Sequence, residues 1–403
     1  MKSRALDIAD AIDLPLLPTG FTLLQITPEL EGGGVEHFTL DLAGAVARAG
    51  GRSLVASRGG GLEAALRACG GELIRLPVHS KNPVVISANA RRLAKAIRKN
   101  NVNVAHVHSR APAFSALWAA RATGTPLAAT YHGAYSGGSK VKRWYNSVMT
   151  KGDLVIVHSI FMRDHVIAEH GLPPEKILLV PGCVDTAHFD AAGVDSSRIE
   201  AIRNAWGLAP ADRRPVVLLA GRLTRGKGHL LAIEAVAALA KPERPLLVFV
   251  GGGRDNDYRA QIRSAAARAG ISDQLRLAGP TEDMPAAYLA ADLVIAPSVI
   301  PEAFGRTVVE AGAMRRVVLA AAHGGAAETV ADGETGWLVA PGSVGAWRAA
   351  IEVALRATSE QAAVIGQAAR GRMERLHSIP AMSEAMFAGY RRLVEQRSTR
   401  RPG

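Results

Sequence analysis

Short runs of apolar residues alternate along this chain with longer stretches in which apolar side chains recur every three or four positions. This alternation is typical of βα units, in which buried parallel strands are joined by amphipathic helices. A helix is predicted over residues 35–49, because Phe38, Leu42 and Val46 fall on one helical face. In the N-terminal half, strands are predicted over residues 21–27, 52–57, 72–77, 104–108, 126–131, 154–159 and 177–180.

The pattern of strands and helices is interrupted after residue 181 and begins again near residue 216. Residues 191–214 are rich in Asp, Ser, Arg and Pro, and they are predicted to form a linker with a short helix over 196–206. A second series of strands is predicted over residues 216–220, 246–251, 275–278, 293–297 and 317–321. Several of these runs are almost continuously apolar, as strands covered on both faces must be.

The whole pattern predicts an α/β fold with two doubly wound, Rossmann-like parallel-sheet domains, and a length of 403 residues suits two domains. We place the N-terminal domain at residues 1–190, with an extension over 1–20. The linker follows at 191–214 and the C-terminal domain at 215–375. Residues 376–403 are expected to form a helix that crosses back to the N-terminal domain, followed by a tail.

Composition excludes several classes of protein. With 48% hydrophobic and 21% charged residues, the chain is globular rather than disordered or fibrous. Two cysteines, Cys69 and Cys183, cannot build a disulfide framework or a cysteine-rich zinc cluster. No apolar run is long enough to span a bilayer, and Asp7, Asp10 and Asp13 interrupt the segment where a signal peptide would be apolar. We therefore expect a cytoplasmic protein.

The net charge of +12 is concentrated in one segment of the N-terminal half. Residues 73–152 contain thirteen Lys and Arg residues and no acidic residue, whereas the rest of the chain carries 35 basic and 36 acidic residues. A segment of this kind attracts anions, which include nucleic acid, anionic lipid head groups and phosphorylated substrates. A helix over 91–99 whose charges are merely solvated remains an alternative.

The segment 301–311 (PEAFGRTVVEA) contains two carboxylates eight positions apart, Glu302 and Glu310. If a helix begins near Gly305, Glu302 lies in the preceding loop and Glu310 about a turn and a half inside the helix. Both side chains can then face one crevice, next to unpaired backbone N–H groups that attract an anion. Two solvated glutamates beside a turn are the alternative.

A second segment, 221–228 (GRLTRGKG), follows the first strand of the C-terminal domain. Open α/β sheets bind their ligands at the carboxyl ends of their strands. The glycines allow close approach of the backbone, and Arg222 and Lys227 supply two cations for a diphosphate. Taken alone, such a loop is often only a turn. Together the two segments indicate a site with cations for a pyrophosphate and carboxylates for sugar hydroxyls.

In this order, the two segments resemble those of glycosyltransferase family 4, the glycosyl transferases group 1. Members of this family have the GT-B fold, in which two Rossmann-like domains face each other across a cleft. The resemblance extends over about residues 21–393. It also includes residues 31–36 (EGGGVE), 130–133 (TYHG), 181–185 (PGCVD), 324–328 (GGAAE) and 332–339 (DGETGWLV).

The resemblance implies a role for each matching position. Arg222 and Lys227 would hold the diphosphate of a nucleotide-sugar donor, Glu310 the ribose and Glu302 the donor sugar. His132 would reach the reacting sugar across the cleft. The remaining expected donor-binding residues are Gly33, Gly34, Gly221, Ala303, Phe304, Gly305 and Thr307.

The resemblance also implies a mechanism that retains the anomeric configuration. A donor phosphate oxygen would take the acceptor proton during attack on the same face, so no protein nucleophile, metal ion or further cofactor is expected. Asp255 and Asp257 have the D-x-D spacing of metal-dependent sugar transferases, but we expect helix caps there. Gly182 and Arg315 depart from the usual family residues, Asn and Gly, which leaves the donor nucleotide and sugar open. We expect Arg315 and Arg316 to face solvent.

The basic segment suggests where the acceptor is found. Beyond His132, residues 134–145 combine Lys140, Lys142 and Arg143 with Trp144 and Tyr145, a mixture that suits a membrane interface. We expect the N-terminal domain to dock on the anionic cytoplasmic face of the inner membrane. The acceptor would be lipid-linked, a lipopolysaccharide or another cell-envelope glycan.

Two other functions remain open from the sequence. A sugar-nucleotide epimerase or phosphorylase of the same fold would use the same donor site, and a basic nucleic-acid-binding protein would use residues 73–152. No recognition-helix or stacking-platform motif supports the second alternative, so no nucleic acid is expected. We further expect His106 and His108 to point to opposite faces of their strand.

Overall fold

The structure is a computed structural model that describes residues 17–135, 138–209, 211–253 and 255–399. Residues 1–16 of the predicted extension and residues 400–403 of the tail lie outside these ranges. Within them, the chain forms two parallel sheets, of seven and six strands. The first sheet contains β1 (Thr22–Ile26), β2 (Arg52–Ser57), β3 (Gly71–Arg75), β4 (Val104–Val107), β5 (Leu127–Tyr131), β6 (Leu154–Val157) and β7 (Ile177–Leu179). The second contains β8 (Val216–Ala220), β9 (Leu246–Val250), β10 (Leu275–Gly279), β11 (Leu293–Ala296), β12 (Val318–Ala321) and β13 (Trp337–Val339).

Both sheets are doubly wound. The strand order is β3-β2-β1-β4-β5-β6-β7 in the first sheet and β10-β9-β8-β11-β12-β13 in the second, and every recorded pair is parallel. In each sheet the order reverses beside the first strand, which places a crevice at the carboxyl ends of the central strands. The predicted fold class is therefore confirmed.

Helices cover both faces of each sheet. In the N-terminal half these are α1 (Gly34–Arg48), α2 (Glu63–Ala68), α3 (Pro83–Lys99), α4 (Arg110–Thr123), α5 (Lys140–Asn146) and α6 (Ile160–His170). In the C-terminal half they are α7 (Ser196–Ala205), α8 (His229–Ala237), α9 (Asn256–Arg268), α10 (Met284–Leu289), α11 (Arg306–Ala313), α12 (Gly324–Thr329), α13 (Val344–Leu355), α14 (Ser359–Leu376) and α15 (Ile379–Thr399). Among the described residues, no helix is long and apolar enough to cross a membrane.

The last helix packs on the first sheet although it follows the second sheet in sequence. Its buried residues Met386, Phe387 and Tyr390 share a core cluster with Phe21 and Leu23 of the N-terminal half. The rings of Phe21 and Tyr390 stack with their centroids 5.9 Å apart. The N-terminal core thus contains residues from both ends of the described chain.

The segment between the two sheets packs against the second sheet. Ile202 of α7, with Trp206 and Leu208, joins the core cluster of β8 and α10. The helix that the sequence predicts over 196–206 is observed at Ser196–Ala205, where Asp195 accepts a hydrogen bond from the Arg198 N–H and caps the first turn. The predicted limits of the two domains stay predictions.

The strand pattern missed β13, an edge strand of three residues. Trp337 and Leu338 are only half-buried, so the segment lacks the continuous apolar run that marks the central strands. It pairs with β12 through Leu319 and Trp337, after a turn at Gly333 and Gly336 with positive φ. Short edge strands of this kind carry little periodic signal.

Candidate active site

A cavity of about 470 Å³ lies between the two halves, at the carboxyl ends of their strands. The N-terminal half contributes α1, the residues that follow β5 and β6, and the loop after β7. The C-terminal half contributes the loops after β8 and β11 and the first turns of α11. Its lining includes Gly34, Phe38, His132, His158, Gly182, Cys183, Gly221, Arg222, Lys227, Tyr288, Glu302, Ala303, Phe304, Arg306, Thr307 and Glu310.

Lys227 and Glu302 form an ion pair in the wall of this cavity. Lys227 Nζ lies 2.7 Å from Glu302 Oε2, and the two side chains are 25% and 24% exposed. The other carboxylate oxygen of Glu302 accepts a hydrogen bond from the Ser298 hydroxyl. Gly228, directly after Lys227, has a φ of +78°, and a side chain there would collide with the Pro297 carbonyl. The turn that presents Lys227 therefore requires glycine.

Glu310 is held by two partners inside the cavity. Its Oε1 accepts from Arg306 Nε at 2.7 Å and its Oε2 from the Tyr288 hydroxyl at 2.8 Å. Burial, reinforced by the Glu310 carboxylate, raises the pKa of Tyr288, so this hydroxyl remains a donor. Thr307 donates to the Ala220 carbonyl at 3.0 Å, which ties α11 to the end of β8.

The first turn of α11 lies against α12. Gly305 precedes the helix, and a Cβ at this position would come within 2.9 Å of Ala326. Glycine thus permits the close approach of the start of α11 to α12. Phe304 occupies the space next to Gly182, where a Cβ would lie 2.6 Å from its ring. This contact gives a physical reason for glycine at position 182.

The N-terminal wall is aromatic. His132 packs on Phe38 with ring centroids 5.3 Å apart, and its Nε2 lies 3.1 Å from Nδ1 of the buried His108. The rings of His106 and His108 are 4.1 Å apart, so our expectation of opposite faces was wrong. Residues two apart in a strand share a face, because the side-chain period is two.

Several contacts join the two halves beside the cavity. The Ser159 hydroxyl donates to the Ala303 carbonyl at 2.7 Å. The Glu328 carboxylate of α12 accepts from the backbone N–H groups of Ile160 and Phe161, at 2.8 and 2.7 Å. Arg306 approaches the Gly34 carbonyl at 3.4 Å. These contacts connect α6 and the start of α1 to the C-terminal half.

Most of the residues expected from the sequence line this cavity, whereas Gly33 and Gly305 are not among its lining residues. The sequence missed Phe38, His158, Tyr288 and the side chain of Arg306 as lining residues. The position of Arg306 between the two glutamates was a usable signal. His158 follows the end of β6 as His132 follows the end of β5, so its position was a usable signal too. For Tyr288 the sequence offered none, because a buried helix shows no sign of which side chain faces a crevice.

Two further expectations can be compared with the structure. Asp255 caps α9 by accepting from the Tyr258 N–H at 2.9 Å, as expected for a helix start. Arg315 is exposed, whereas Arg316 is partly buried and donates to the Ala291 carbonyl, so the expectation of solvent was wrong for Arg316. Within the described ranges, no group of three or more His, Cys, Asp or Glu side chains is placed to hold a metal ion.

The fold and the cavity define a GT-B glycosyltransferase, and comparison with known proteins gives the family. Residues 201–372 match the model "Glycosyl transferases group 1", and residues 32–188 match "Glycosyltransferase Family 4". A solved glycosyltransferase from Rickettsia africae ESF-5 is 30% identical, and the match covers 94% of this chain and 100% of that chain with a TM-score of 0.85. The chain belongs to glycosyltransferase family 4.

Two other similar proteins match at lower identity or over a shorter part of the chain. Anabaena Alr3699/HepE, solved in complex with UDP and glucose, has the same fold at 22% identity, with 91% and 98% of the two chains covered and a TM-score of 0.78. The 2-deoxystreptamine glucosyltransferase of Streptomyces kanamyceticus is 35% identical over 179 residues, which are 44% of each chain. The chain spans about half the length of the curated relatives it matches.

Proposed function

We propose that this protein transfers a hexose from a nucleotide-diphosphate sugar to a cell-envelope acceptor, with retention of the anomeric configuration and without a metal ion. The observation that carries the proposal is the convergence of two cations and two carboxylates on one interdomain cavity. Arg222 and Lys227 face it from the loop after β8, and Glu302 and Glu310 face it from the loop before α11 and from α11 itself. UDP is the nucleotide we expect, because the solved HepE complex contains UDP and glucose.

Donor binding rearranges the ion pair between Lys227 and Glu302. The diphosphate draws Lys227 away from Glu302, so that the ammonium group neutralises phosphate while the carboxylate accepts from sugar hydroxyls. The first N–H groups of α11 add a positive end for the same anion. Glu310, already oriented by Tyr288 and Arg306, accepts from the ribose hydroxyls.

The reaction then needs charge stabilisation more than a protein nucleophile. The bond between the sugar C1 and the diphosphate oxygen breaks, and a bond from C1 to the acceptor oxygen forms on the same face. The acceptor proton passes to a phosphate oxygen of the departing diphosphate. Arg222 and Lys227 lower the barrier because they stabilise the negative charge that develops on this leaving group.

A thermal-shift measurement with UDP, GDP and ADP tests the donor site, because a ligand that binds the folded state raises its melting temperature. Lys227→Met should abolish the shift, since the diphosphate loses one of the two cations proposed to bind it. Arg225→Met is the matched control: Arg225 belongs to the same turn but hydrogen-bonds to Gln261 away from the cavity, and its loss should leave the shift intact. The absence of a shift with any of the three nucleotides in the unmodified protein would contradict the proposal.

The acceptor side presents a surface suited to an anionic membrane. On α5, Val141 and Trp144 are 75% and 66% exposed next to the cations Lys140 and Arg143. The rings of Phe114 and Trp144 are 5.5 Å apart, which fixes this helix against α4. Exposed Trp beside cations is typical of segments that rest at a lipid head-group interface.

Co-sedimentation with vesicles tests this surface. We expect the protein to pellet with phosphatidylglycerol vesicles and not with phosphatidylcholine vesicles, and Trp144→Ser with Val141→Ser should reduce the pelleted fraction severalfold. Val364→Ser on α14, which is 70% exposed on the C-terminal half, is the control for a general loss of exposed apolar surface. Equal absence from both kinds of pellet would exclude membrane docking while leaving the donor site untouched.

A further inference from the structure

Arg110, the first residue of α4, is a partly buried arginine at the carboxyl end of β4. Its guanidinium carbon lies 3.9 Å from the centre of the Tyr135 ring. Tyr135 stands three residues after His132, which lines the cavity, so at most about 11 Å of extended chain separates the two residues. Arg110 is therefore a neighbour of the donor cavity, although it is not one of the residues that line it.

No carboxylate balances the charge of Arg110 in the part of the chain that the structure describes. It takes part in none of the ion pairs of these residues. Its side chain instead donates from Nη1 to the neutral Asn146 Oδ1 at 2.7 Å. The nearby Arg143, by contrast, has Glu169 as its partner at 3.3 Å. Because a partly buried cation without a counter-charge is costly, an anion that reaches Arg110 is stabilised there.

Asn146 brings an unsatisfied donor to the same place. Arginine can only donate, so the amide oxygen of Asn146 must face Arg110, and the amide nitrogen cannot take its position. Asn146 is 0% exposed, and its Nδ2 has no hydrogen-bond partner among the described residues. Since Oδ1 and Nδ2 are bonded to one carbon atom, this N–H group lies close to the guanidinium. Buried polar atoms without a partner are uncommon, and this one lacks an acceptor.

The remaining surroundings of Arg110 are also donors. Helix α4 begins without a side-chain cap and without an acidic residue in its first turn, so its first N–H groups keep their positive end. Burial raises the pKa of the Tyr135 and Tyr145 hydroxyls, while the charge of Arg110 acts against this effect. Both hydroxyls are therefore protonated near pH 7. A cation, an amide N–H and a helix N-terminus together suit a phosphate group.

Both helices next to α4 expose apolar side chains near this site. On α5, Trp144 is 66% exposed and packs on Phe114, which lies one turn along α4 from Arg110. On the other neighbour, α3, the exposed side chain is Val84 in the first turn, at 76%. A phosphate site between two exposed apolar segments matches a lipid, whose phosphate lies between its chains and water.

We propose that Arg110, the amide nitrogen of Asn146 and the first N–H groups of α4 bind a phosphate group of the acceptor, and that this acceptor is a phosphate-bearing lipid whose chains stay in the membrane beside α3 and α5. The proposal rests on the function proposed above, because it names the chemistry of the acceptor. The exposed side chains of α5 bring lipid within reach, and Arg110 selects a lipid with a phosphate. The rest of the head group then extends past Tyr135 towards the cavity.

Calorimetric titration with three soluble probes tests the chemistry of this site. Dihexanoylphosphatidic acid carries a phosphate and two short chains, glycerol 3-phosphate carries the phosphate alone, and dihexanoylglycerol carries the chains alone. We expect dihexanoylphosphatidic acid to bind at concentrations at which it is monomeric. The other two probes should bind at least about tenfold more weakly, because each lacks one of the two recognised parts.

Arg110→Gln should weaken the binding of dihexanoylphosphatidic acid by about 10- to 100-fold, because a charged hydrogen bond to the phosphate is lost. Arg110→Lys keeps the charge and should recover part of this loss. Arg121→Gln is the matched control, since it removes the same charge from an exposed position on the same helix. Arg121 lies about 16 Å from Arg110 along the helix axis, beyond the Debye length at physiological ionic strength, so its variant should bind like wild type.

The melting temperature with UDP separates this proposal from the proposed function. Arg110→Gln should keep the UDP shift while it loses dihexanoylphosphatidic acid, and loss of both would overturn the proposal by giving Arg110 a role in the fold. If the unmodified protein responds to UDP but binds none of the probes, or if Arg110→Gln and Arg121→Gln bind alike, the acceptor site fails and the donor site stands. Equal binding of glycerol 3-phosphate and dihexanoylphosphatidic acid would overturn the lipid in favour of a soluble phosphate ester. If UDP, GDP and ADP all leave the unmodified protein unshifted, the proposed function fails and this inference fails with it.

Discussion

At the scale of single residues, the charged groups of the cavity are paired with each other. Lys227 pairs with Glu302, and Arg306 with Glu310, each at 2.7 Å. A half-buried charge without a partner would be expensive, and each partner offsets the cost of burying the other. The sequence identified Lys227 and Glu302 as separate ligand contacts. It could not show that they pair, because they lie 75 positions apart and meet only when β8 and β11 become neighbours.

Asp41 gives a prediction at this scale. Burial raises the pKa of Asp41 to about 7, and Asp185 and Glu310 add to the effect while Arg306 opposes it. The folded state thus holds a proton that the unfolded chain releases near pH 4, so this residue lowers the free energy of unfolding as pH rises from 4 to 7. The free energy of unfolding of Asp41→Asn should lack this decrease with pH. Relative to wild type, it should therefore rise by about 2 kcal/mol between pH 5 and pH 8.

Urea denaturation at both pH values measures this difference. Asp164→Asn is the control, because Asp164 is exposed on α6 and its replacement should leave the pH dependence of wild type unchanged. Identical pH dependence in Asp41→Asn and Asp164→Asn would show that Asp41 is ionised normally in the folded protein.

At the scale of elements, the ends of α11 follow different rules. Its beginning uses Gly305 to approach α12, whereas its end places Arg315, a non-glycine residue, at a φ of +57°. Glycine is the usual residue in this left-handed position after a helix, because a Cβ is strained there. Arg315, which replaces the usual family glycine, therefore strains the backbone of an exposed turn. It lies outside the cavity lining.

Arg315→Gly should consequently stabilise the protein. Relief of the left-handed strain exceeds the extra freedom that glycine gives the unfolded chain, and we expect a gain of about 0.5–1 kcal/mol in the free energy of unfolding. Arg315→Ala keeps the Cβ and should give no gain, which separates backbone strain from the loss of a positive charge. Equal stabilisation by both substitutions, measured by chemical denaturation, would refute the explanation.

At the scale of the whole molecule, the cavity depends on contacts between sheets that are separate in sequence. Glu328 of the C-terminal half caps α6 of the N-terminal half, through the N–H groups of Ile160 and Phe161. A carboxylate at a helix N-terminus is favoured by both hydrogen bonding and the helix dipole. The helix α15 adds a second connection, because it follows the C-terminal half and packs in the N-terminal core.

Loss of the Glu328 cap should weaken the connection between the halves. We expect Glu328→Ala to lower the free energy of unfolding by about 1–2 kcal/mol, since two N–H groups lose their partner, and Glu328→Gln to lower it less. Small-angle scattering should show a larger radius of gyration for Glu328→Ala without ligand. Glu334→Ala, an exposed glutamate of the same half, is the control, and an equal result for both variants would argue against an interdomain role.

The sequence by itself determined most of the elements of this protein and several charged residues that line its cavity. Buried parallel strands and amphipathic helices are encoded in local periodicity, and a glycine turn or a carboxylate pair is visible within a few residues of chain. The strand limits for residues 52–57 and 216–220 were predicted to the residue for this reason.

Tertiary structure alone decided which of these groups face one another. The pair Lys227–Glu302, the cap on α6 by Glu328 and the approach of His158 to His132 join residues that are distant in sequence. Local patterns cannot specify such contacts, because they arise from the order of strands in each sheet and from the packing of one half of the molecule against the other.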